Sequence, residues 1–454
     1  MSTTTSRPPV SREDGRARLA VSLLFLTNGA LFANLLPRYP AIKAGLDLSN
    51  AEFGLAVAAF PLGAIMAGLA AAVLIRRFRS SRVAVAGTLV TSVGVLAAGV
   101  APSWGLLAAA LFVGGAMDAI TDVAQNSHGL RVQRRYGRSI LNSFHAAWSI
   151  GAVIGGLMGA AAAGLGLPPA LHLTISAVLF CIVALLAYRW MISGPEPTDE
   201  LEEAQAGETA SVASVAGRSA LRFGTVAVLV ALVLIASSAA IVEDAGNTWA
   251  AVYLSGSLGA SVTIAALGFV SLAVMQLIGR LIGDGLVDRF GQKAVARVGG
   301  VLVAVGMGLA LAFPSIPGTI VGFGAAGFGV ATLIPGAMHA ADQLPGFRRG
   351  MGLTLLSWLM RLGFLFSPPI VGLIADATTL RWGLLIMPVV GVIVLLLSGV
   401  LAGRVRGGGG AGDGGAGGAG AGGAGVDGGA GGAGVDGGAG AGAARPESGV
   451  GGAA

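Results

Sequence analysis

Apolar runs of about 20 residues follow one another through most of the chain, divided by short polar stretches, and each could cross a hydrocarbon core of about 30 Å. Twelve such spans can be drawn, near 18–37, 53–75, 83–101, 105–129, 142–165, 169–191, 223–253, 263–283, 296–314, 318–340, 350–376 and 381–402. The pattern predicts an all-α integral membrane protein. Between the sixth and seventh spans, "SGPEPTDELEEAQAGETASVASVAGRS" is polar, acidic and without periodicity. Beyond Arg406 the chain is almost wholly Gly and Ala, a composition that buries too little apolar surface to fold. The expected organisation is a polar N-terminus at 1–17, a six-helix half at 18–191, an acidic linker at 192–222, a second six-helix half at 223–402 and a disordered tail at 403–454.

Charge gives the spans a direction. Arg76, Arg77, Arg79 and Arg82, then Arg131, Arg134, Arg135 and Arg138, then Arg289, Lys293 and Arg297, then Arg348 and Arg349 lie in alternate loops on one side. The opposite loops hold only Arg38, Lys43 and Arg381. By the positive-inside rule both termini and the linker are expected in the cytoplasm. The mean hydropathy of +0.81 and the 11% charged residues agree with a membrane chain, since soluble domains carry about 25%. The high pI of 10.2 is accounted for by basic residues flanking spans, so nucleic acid is not an expected partner. One cysteine, Cys181, excludes an intramolecular disulfide. All basic residues except Lys43 and Lys293 are Arg, and Ala, Gly and Val abound, a bias pointing to a high-GC bacterial genome and hence a bacterial cytoplasmic membrane. No signal-peptide cleavage pattern stands out, so the first span is expected to stay as an anchor.

The two halves repeat. An offset of 212 residues aligns Arg77-Phe78 with Arg289-Phe290, Gly87 with Gly299, Gly94 with Gly306, Pro102 with Pro314, Gly115 with Gly327 and Gly151 with Gly363, without a gap. The expected fold is therefore twelve transmembrane helices as two parallel six-helix halves related by a pseudo-two-fold axis. Rocker-type transporters have this architecture, with the solute site between the halves near the midplane.

The stretch "GDGLVDRFGQK" between the eighth and ninth spans carries a family resemblance. It is similar to the signature loop of the major facilitator superfamily in Asp288, Arg289, Gly291 and Lys293, with Asp284 where a glycine is usual and Gly283 just before it. The resemblance implies a charge relay between helix ends that holds one face closed. The first-half counterpart "AVLIRRFRSSR" is degenerate, Arg76 and Arg79 replacing the acid and the glycine. "DVAQN", Asp122 to Asn126, is similar to the acid-x-x-x-Asn arrangement of the fucose-permease-like branch, in which the acid takes part in proton coupling and sugar binding.

Depth along the spans bears on the same residues. Counting about 1.5 Å per residue from Arg131, Arg138 and Arg349 puts Asp122 about 14 Å, Asp118 about 20 Å, Trp148 about 15 Å, His145 about 10 Å and Arg361 about 18 Å below the cytoplasmic face. An Asp at a helix centre costs about 2.5–3.5 kcal/mol on insertion scales, so two in one span point to function. Asp118, Asp122 and Asn126 share one helix face at i, i+4, i+8, and His145 and Ser149 share another. Asp122 and Asp118 are the expected proton-coupling residues. The expected solute-contacting set is Asn28, Asn126, His145, Trp148, Ser149, Glu243, Asn247 and Arg361, of which Arg361 reads as the lone basic residue deep in a span and a cross-half partner for Asp122. For His145 a structural hydrogen bond, and for Trp148 plain helix packing, stand as alternatives. "VEDAGNTW", with Glu243, Asp244, Asn247 and Trp249, is either an unwound gate or pocket rim, or a polar outer helix end. "GAVIGG" is similar to the antiporter motif of drug exporters, with Ala152 in place of its proline.

No metal cluster, nucleophile–base pair or phosphate loop stands out, so neither an enzyme nor a cofactor is expected. The expected activity is alternating-access transport, proton-coupled uptake of a sugar or other small polar solute by a functional monomer in the lipid bilayer. The second reading is a proton-driven antiporter that exports a hydrophobic compound.

Overall fold

The computed structural model describes residues 11–137, 140–194, 223–344, 347 and 351–401. The expected acidic linker, apart from its first residues, and the Gly/Ala tail beyond Leu401 lie outside the described residues, as do Arg138, Arg348 and Arg349.

Twelve helical spans are present among the described residues, each long and apolar enough to cross a membrane. In the first half, α1 (Arg12–Leu35) continues through a 3₁₀ turn into the short α2 (Tyr39–Gly45). There follow α3 (Asn50–Phe78), α4 (Ser80–Gly99), α5 (Trp104–Tyr136), α6 (Leu141–Gly164) and α7 (Pro169–Tyr188). The second half contains α8 (Phe223–Gly256), α9 (Val262–Phe290), α10 (Gln292–Ala312), α11 (Ile316–Val330), α12 (Leu333–Asp342), α13 (Met351–Ala377), α14 (Leu380–Gly383) and α15 (Ile386–Leu397). α7 leaves Leu171, Ile175, Leu179 and Ile182 exposed at helical spacing, an outward apolar face suited to lipid.

The 212-residue repeat is written into the backbone as well as the sequence. Ser49 and Ser261 are the N-caps of α3 and α9, and Ser103 and Ser315 those of α5 and α11, each pair separated by that offset. Gly115 lets α5 close onto the backbone carbonyl of Phe60, and Gly327 lets α11 close onto that of Leu272, again offset partners. Gly151 against Leu26 and Gly363 against Ser237 repeat the device one helix further on. A Cβ at Gly115, Gly151 or Gly327 would collide with backbone, so these contacts admit no larger residue.

At the turn from α3 to α4 the halves share a conformation and differ in chemistry. Gly291 has φ 80° and ψ 150°, while Arg79 at the equivalent position has φ 75° and ψ 146°. Only glycine occupies that region without strain, and a side chain there costs about 1–3 kcal/mol.

The halves meet at the face remote from Arg12 and Leu401, called here the far face. There Gly54 abuts the backbone of Pro368, Gly372 abuts that of Asn50, and Phe269 packs on Gly156. Tyr39, Phe53 and Trp249 form an aromatic seal across the divide, with centroids 5.2 Å and 5.5 Å apart and both pairs edge to face. Outside the seal, Asp376 at the end of α13 caps the start of α3. Its Oδ1 accepts from Asn50 N and Asn50 Nδ2, both at 2.9 Å, and its Oδ2 accepts from Ala51 N at 2.8 Å. A carboxylate at a helix N-terminus meets unpaired N–H donors and the positive end of the helix dipole together. At the opposite face three polar contacts each lie within one half. Arg135 reaches Asp14 at 2.7 Å and Arg131 donates to Ser193 O at 2.8 Å in the first half, and Arg297 donates to Ser398 at 3.1 Å in the second.

Two measurements check these features. Replacing Arg79 with Gly relieves the turn and should raise the apparent melting temperature of the purified protein; an unchanged or lower value would show an unstrained Arg79. Asp376→Asn removes a charge-assisted bridge worth about 1 kcal/mol at an exposed site, so the far-face-open population should rise about fivefold. Spin labels at Ala44 and Thr378, with Cys181 replaced by Ala, should then report longer distances.

Candidate functional site

The face of α5 that carries Asp118, Asp122 and Asn126 turns toward the divide between the halves. Asp122 lies about 21 Å along the helix from its end at Tyr136, yet it is exposed, and Asn126 and Asp118 are partly so. Exposed polar groups at that depth line a cleft, and the seal at the far face closes its other end.

The first half holds its acids through short polar links. Asn28 of α1 donates from Nδ2 to Asp118 Oδ1 at 2.7 Å, and its Oδ1 accepts from Trp148 Nε1 of α6 at 2.8 Å. Asp118 is thus positioned by an amide that the indole itself orients, and three helices are tied at one depth. Trp148 consequently acts as a hydrogen-bond donor, a role that goes beyond helix packing. Asp122 Oδ1 accepts from Asn126 Nδ2 at 3.0 Å and from Gln125 Nε2 at 3.4 Å. The same Asn126 nitrogen also reaches the Asp122 carbonyl at 2.9 Å. Asp118 lies within electrostatic reach of Asp122, and Asp122 within that of His145 and Arg361. His145 is exposed and stands edge-on to Phe25, with ring centroids 5.2 Å apart.

The second half supplies groups that sequence reading missed. Arg280 lies about 15 Å along α9 from its end at Phe290, so Arg361 is not the lone deep basic residue. Arg280 Nη1 donates across the divide to Ser149 Oγ at 3.3 Å, and its Nη2 comes within 3.8 Å of Glu243 Oε2. Glu243 Oε2 accepts from Gln276 Nε2 at 2.8 Å. Ser149 in turn donates to the His145 carbonyl at 3.1 Å. The cleft therefore has acids and amides on the α5 wall, His145 and Ser149 on α6, and Glu243, Gln276, Arg280 and Arg361 on the other half. Asn247, one turn from Glu243, makes no hydrogen bond among the described residues.

"VEDAGNTW" is not unwound, because α8 runs unbroken from Phe223 to Gly256, and the rim reading is the one compatible with its Glu243. Its faces separate. Glu243 turns to the cleft, whereas Asp244 and Trp249 are buried toward the far-face seal, with Asp244 in electrostatic reach of Tyr39.

The signature loop has a structural reading in this conformation. Gly291 makes the positive-φ joint between α9 and α10, a Cβ at Gly283 would come within 2.5 Å of the Thr332 methyl, and the Arg289 guanidinium sits 5.3 Å from the Phe290 ring centroid. Among the described residues, Asp284, Asp288 and Lys293 form no ion pair. "GAVIGG" is likewise explained by packing, since Gly151 and Gly155 seat α6 against the backbone of Leu26 and Ala30.

Comparisons agree with this architecture. The chain is 30% identical over 377 residues to the uncharacterized transporter y4wD of Sinorhizobium fredii, covering 83% of this chain and 96% of the relative. It is 27% identical over 389 residues to the membrane protein MosC of Rhizobium meliloti, covering 86% and 91%. The structure resembles a bacterial homologue of the human lysosomal transporter Spinster, in an inward-facing and occupied conformation, with a TM-score of 0.67 and 16% identity over 87% of this chain and 97% of that one. A D-xylose-proton symporter gives a TM-score of 0.63 at 18% identity, over 86% and 97%. The nucleoside transporter NupG gives 0.63 at 14% identity, over 85% and 98%. The model of the Major Facilitator Superfamily matches residues 21–284 and 232–417. The chain is a multi-pass membrane protein and belongs to the Major Facilitator Superfamily.

Proposed function

We propose that this transporter takes up a small polar solute, a sugar or a similar hydroxylated molecule, together with protons. The observation that carries the reading is Asp122, a carboxylate deep in a span, open to the cleft and within electrostatic reach of both His145 and, from the other half, Arg361. Such an acid can exchange its proton with water on one side and change partners when the halves move. Asp118, held by Asn28, is its relay partner one turn deeper. Asn28, Asn126, Trp148, Ser149, Glu243, Asn247 and Arg361 form the solute-contacting set, and Gln276 and Arg280 join it.

The basic loops support a cytoplasmic position for both termini, and on that reading the conformation sealed at the far face is inward-facing. The family resemblance at Asp122 and Asn126 supports the same assignment, as does the structural similarity to a D-xylose-proton symporter. The export reading rests on "GAVIGG", whose Gly151 and Gly155 seat α6 on α1, a packing role equally compatible with uptake. The unit of function is the monomer, since the cleft is completed by the two halves of one chain.

The reading is checked in proteoliposomes loaded with a labelled solute panel under an imposed proton gradient. Asp122→Asn should cut gradient-driven uptake at least about tenfold, in line with the loss of an essential proton carrier, while counterflow exchange persists. Gradient-driven uptake that survives in the variant removes Asp122 from the coupling step. A gradient that drives only export sinks the uptake assignment.

A further inference from the structure

Arg280 is placed where its charge is poorly matched. A guanidinium offers five N–H donors in a rigid planar fork. Among the described residues Arg280 makes one hydrogen bond, 3.3 Å long and to the neutral Ser149 hydroxyl. Its nearest acid, Glu243, stands 3.8 Å away, and the oxygen concerned already accepts from Gln276 at 2.8 Å. The side chain is 35% exposed, toward the cleft, so it is neither buried in a finished ion pair nor free in bulk water.

The opposite wall is arranged differently for the two arginines. Arg361 looks across at Asp122. Arg280 looks across at α6, which offers the Ser149 hydroxyl and, within electrostatic reach, His145. Asp118 is tied one helix away to Asn28. Toward α6 the fork of Arg280 thus meets donors and a hydroxyl, and the carboxylate beside it, Glu243, is already engaged by Gln276. A partly desolvated guanidinium in such a position gains most from a bidentate carboxylate, and a neutral hydroxyl cannot replace that geometry.

We infer that Arg280 anchors a carboxylate on the transported solute, with Ser149 beside it, so that the solute is a small hydroxylated acid rather than a neutral sugar. The inference rests on the cleft being the solute site, as proposed above. The amides of Asn28, Asn126 and Gln276 then meet the hydroxyls. Glu243, close to the same fork, competes with the solute for it.

The test is equilibrium binding to the full-length protein in detergent, without a membrane or a proton gradient. The probes are matched pairs, D-gluconate against D-sorbitol and D-glucuronate against D-glucose. Wild type should bind the acid of at least one pair about tenfold or more tightly than its neutral partner, the size of one hydrogen-bonded charge pair. Arg280→Gln should bring that ratio close to one, and Arg280→Lys should leave a reduced preference. Glu243→Gln, which removes the competing carboxylate, should tighten acid binding several-fold. Arg280 and Glu243 acting only as a structural pair would instead lower the melting temperature and binding alike in both variants. The inference is overturned by that result, by equal or better binding of the neutral partners, by a preference that survives Arg280→Gln, or by failure of both acids to bind. Selective acid binding without gradient-driven uptake would leave Arg280 in place and remove the proton coupling. Gradient-driven uptake of the neutral sugar alone would do the reverse.

Discussion

A helix in hydrocarbon satisfies its own backbone hydrogen bonds and leaves every other polar group to find a partner inside the protein. The rest of this structure follows from that constraint. Asp118 is answered by Asn28 and, through it, by Trp148. Glu243 is answered by Gln276. Asp122 and Arg280 are answered less completely, and both border the cleft. Close approach of helices is what brings these partners into range, and it depends on residues without side chains at the contact, such as Gly115 on Phe60 and Gly151 on Leu26. Small residues, featureless in the sequence, thus determine which polar residues can meet.

The duplication explains the frame, and divergence within it explains the chemistry. Caps, joints and glycine contacts recur at the 212-residue offset, but the polar residues of the cleft do not. Ser149 and Arg361 occupy equivalent positions, a hydroxyl in one half and a guanidinium in the other. The acids Asp118 and Asp122 stand opposite Val330 and Ile334 in that alignment. A symmetric scaffold therefore carries an asymmetric site, with acids mainly on one wall and arginines on the other. Arg79 marks the same divergence at the surface, keeping a backbone turn whose glycine survives only in the second copy.

Much of this was legible in the chain. Twelve apolar runs, the offset and the depth of Asp122 follow from composition and a rise of about 1.5 Å per residue. Two features escaped for a physical reason. Arg280 lies ten residues before Phe290 and close in sequence to the basic signature loop, where a positive charge reads as a topology marker. Only the approach of α8, bringing Glu243 alongside, separates it from that set. Asp376 ends a span at an exposed loop, where an acid is unremarkable until the start of α3 is seen beneath it. Periodicity identifies which residues share a helix face. It carries no information on which faces of the two halves will meet.

The start of α3 has one more consequence for a protein that must come apart and close again. Ser49 and Glu52 form a capping box within the helix itself, Ser49 Oγ accepting from Glu52 N at 3.1 Å and Glu52 Oε2 from Ser49 N at 2.9 Å. Asp376 takes the two backbone donors that the box leaves over, those of Asn50 and Ala51, together with the Asn50 side-chain amide. When the halves part at this face, the helix keeps its own terminus intact and offers two N–H groups to water, which accepts them readily. Reversibility is thereby built into the joint: what is broken belongs to the fastening alone, and neither partner unravels when it lets go.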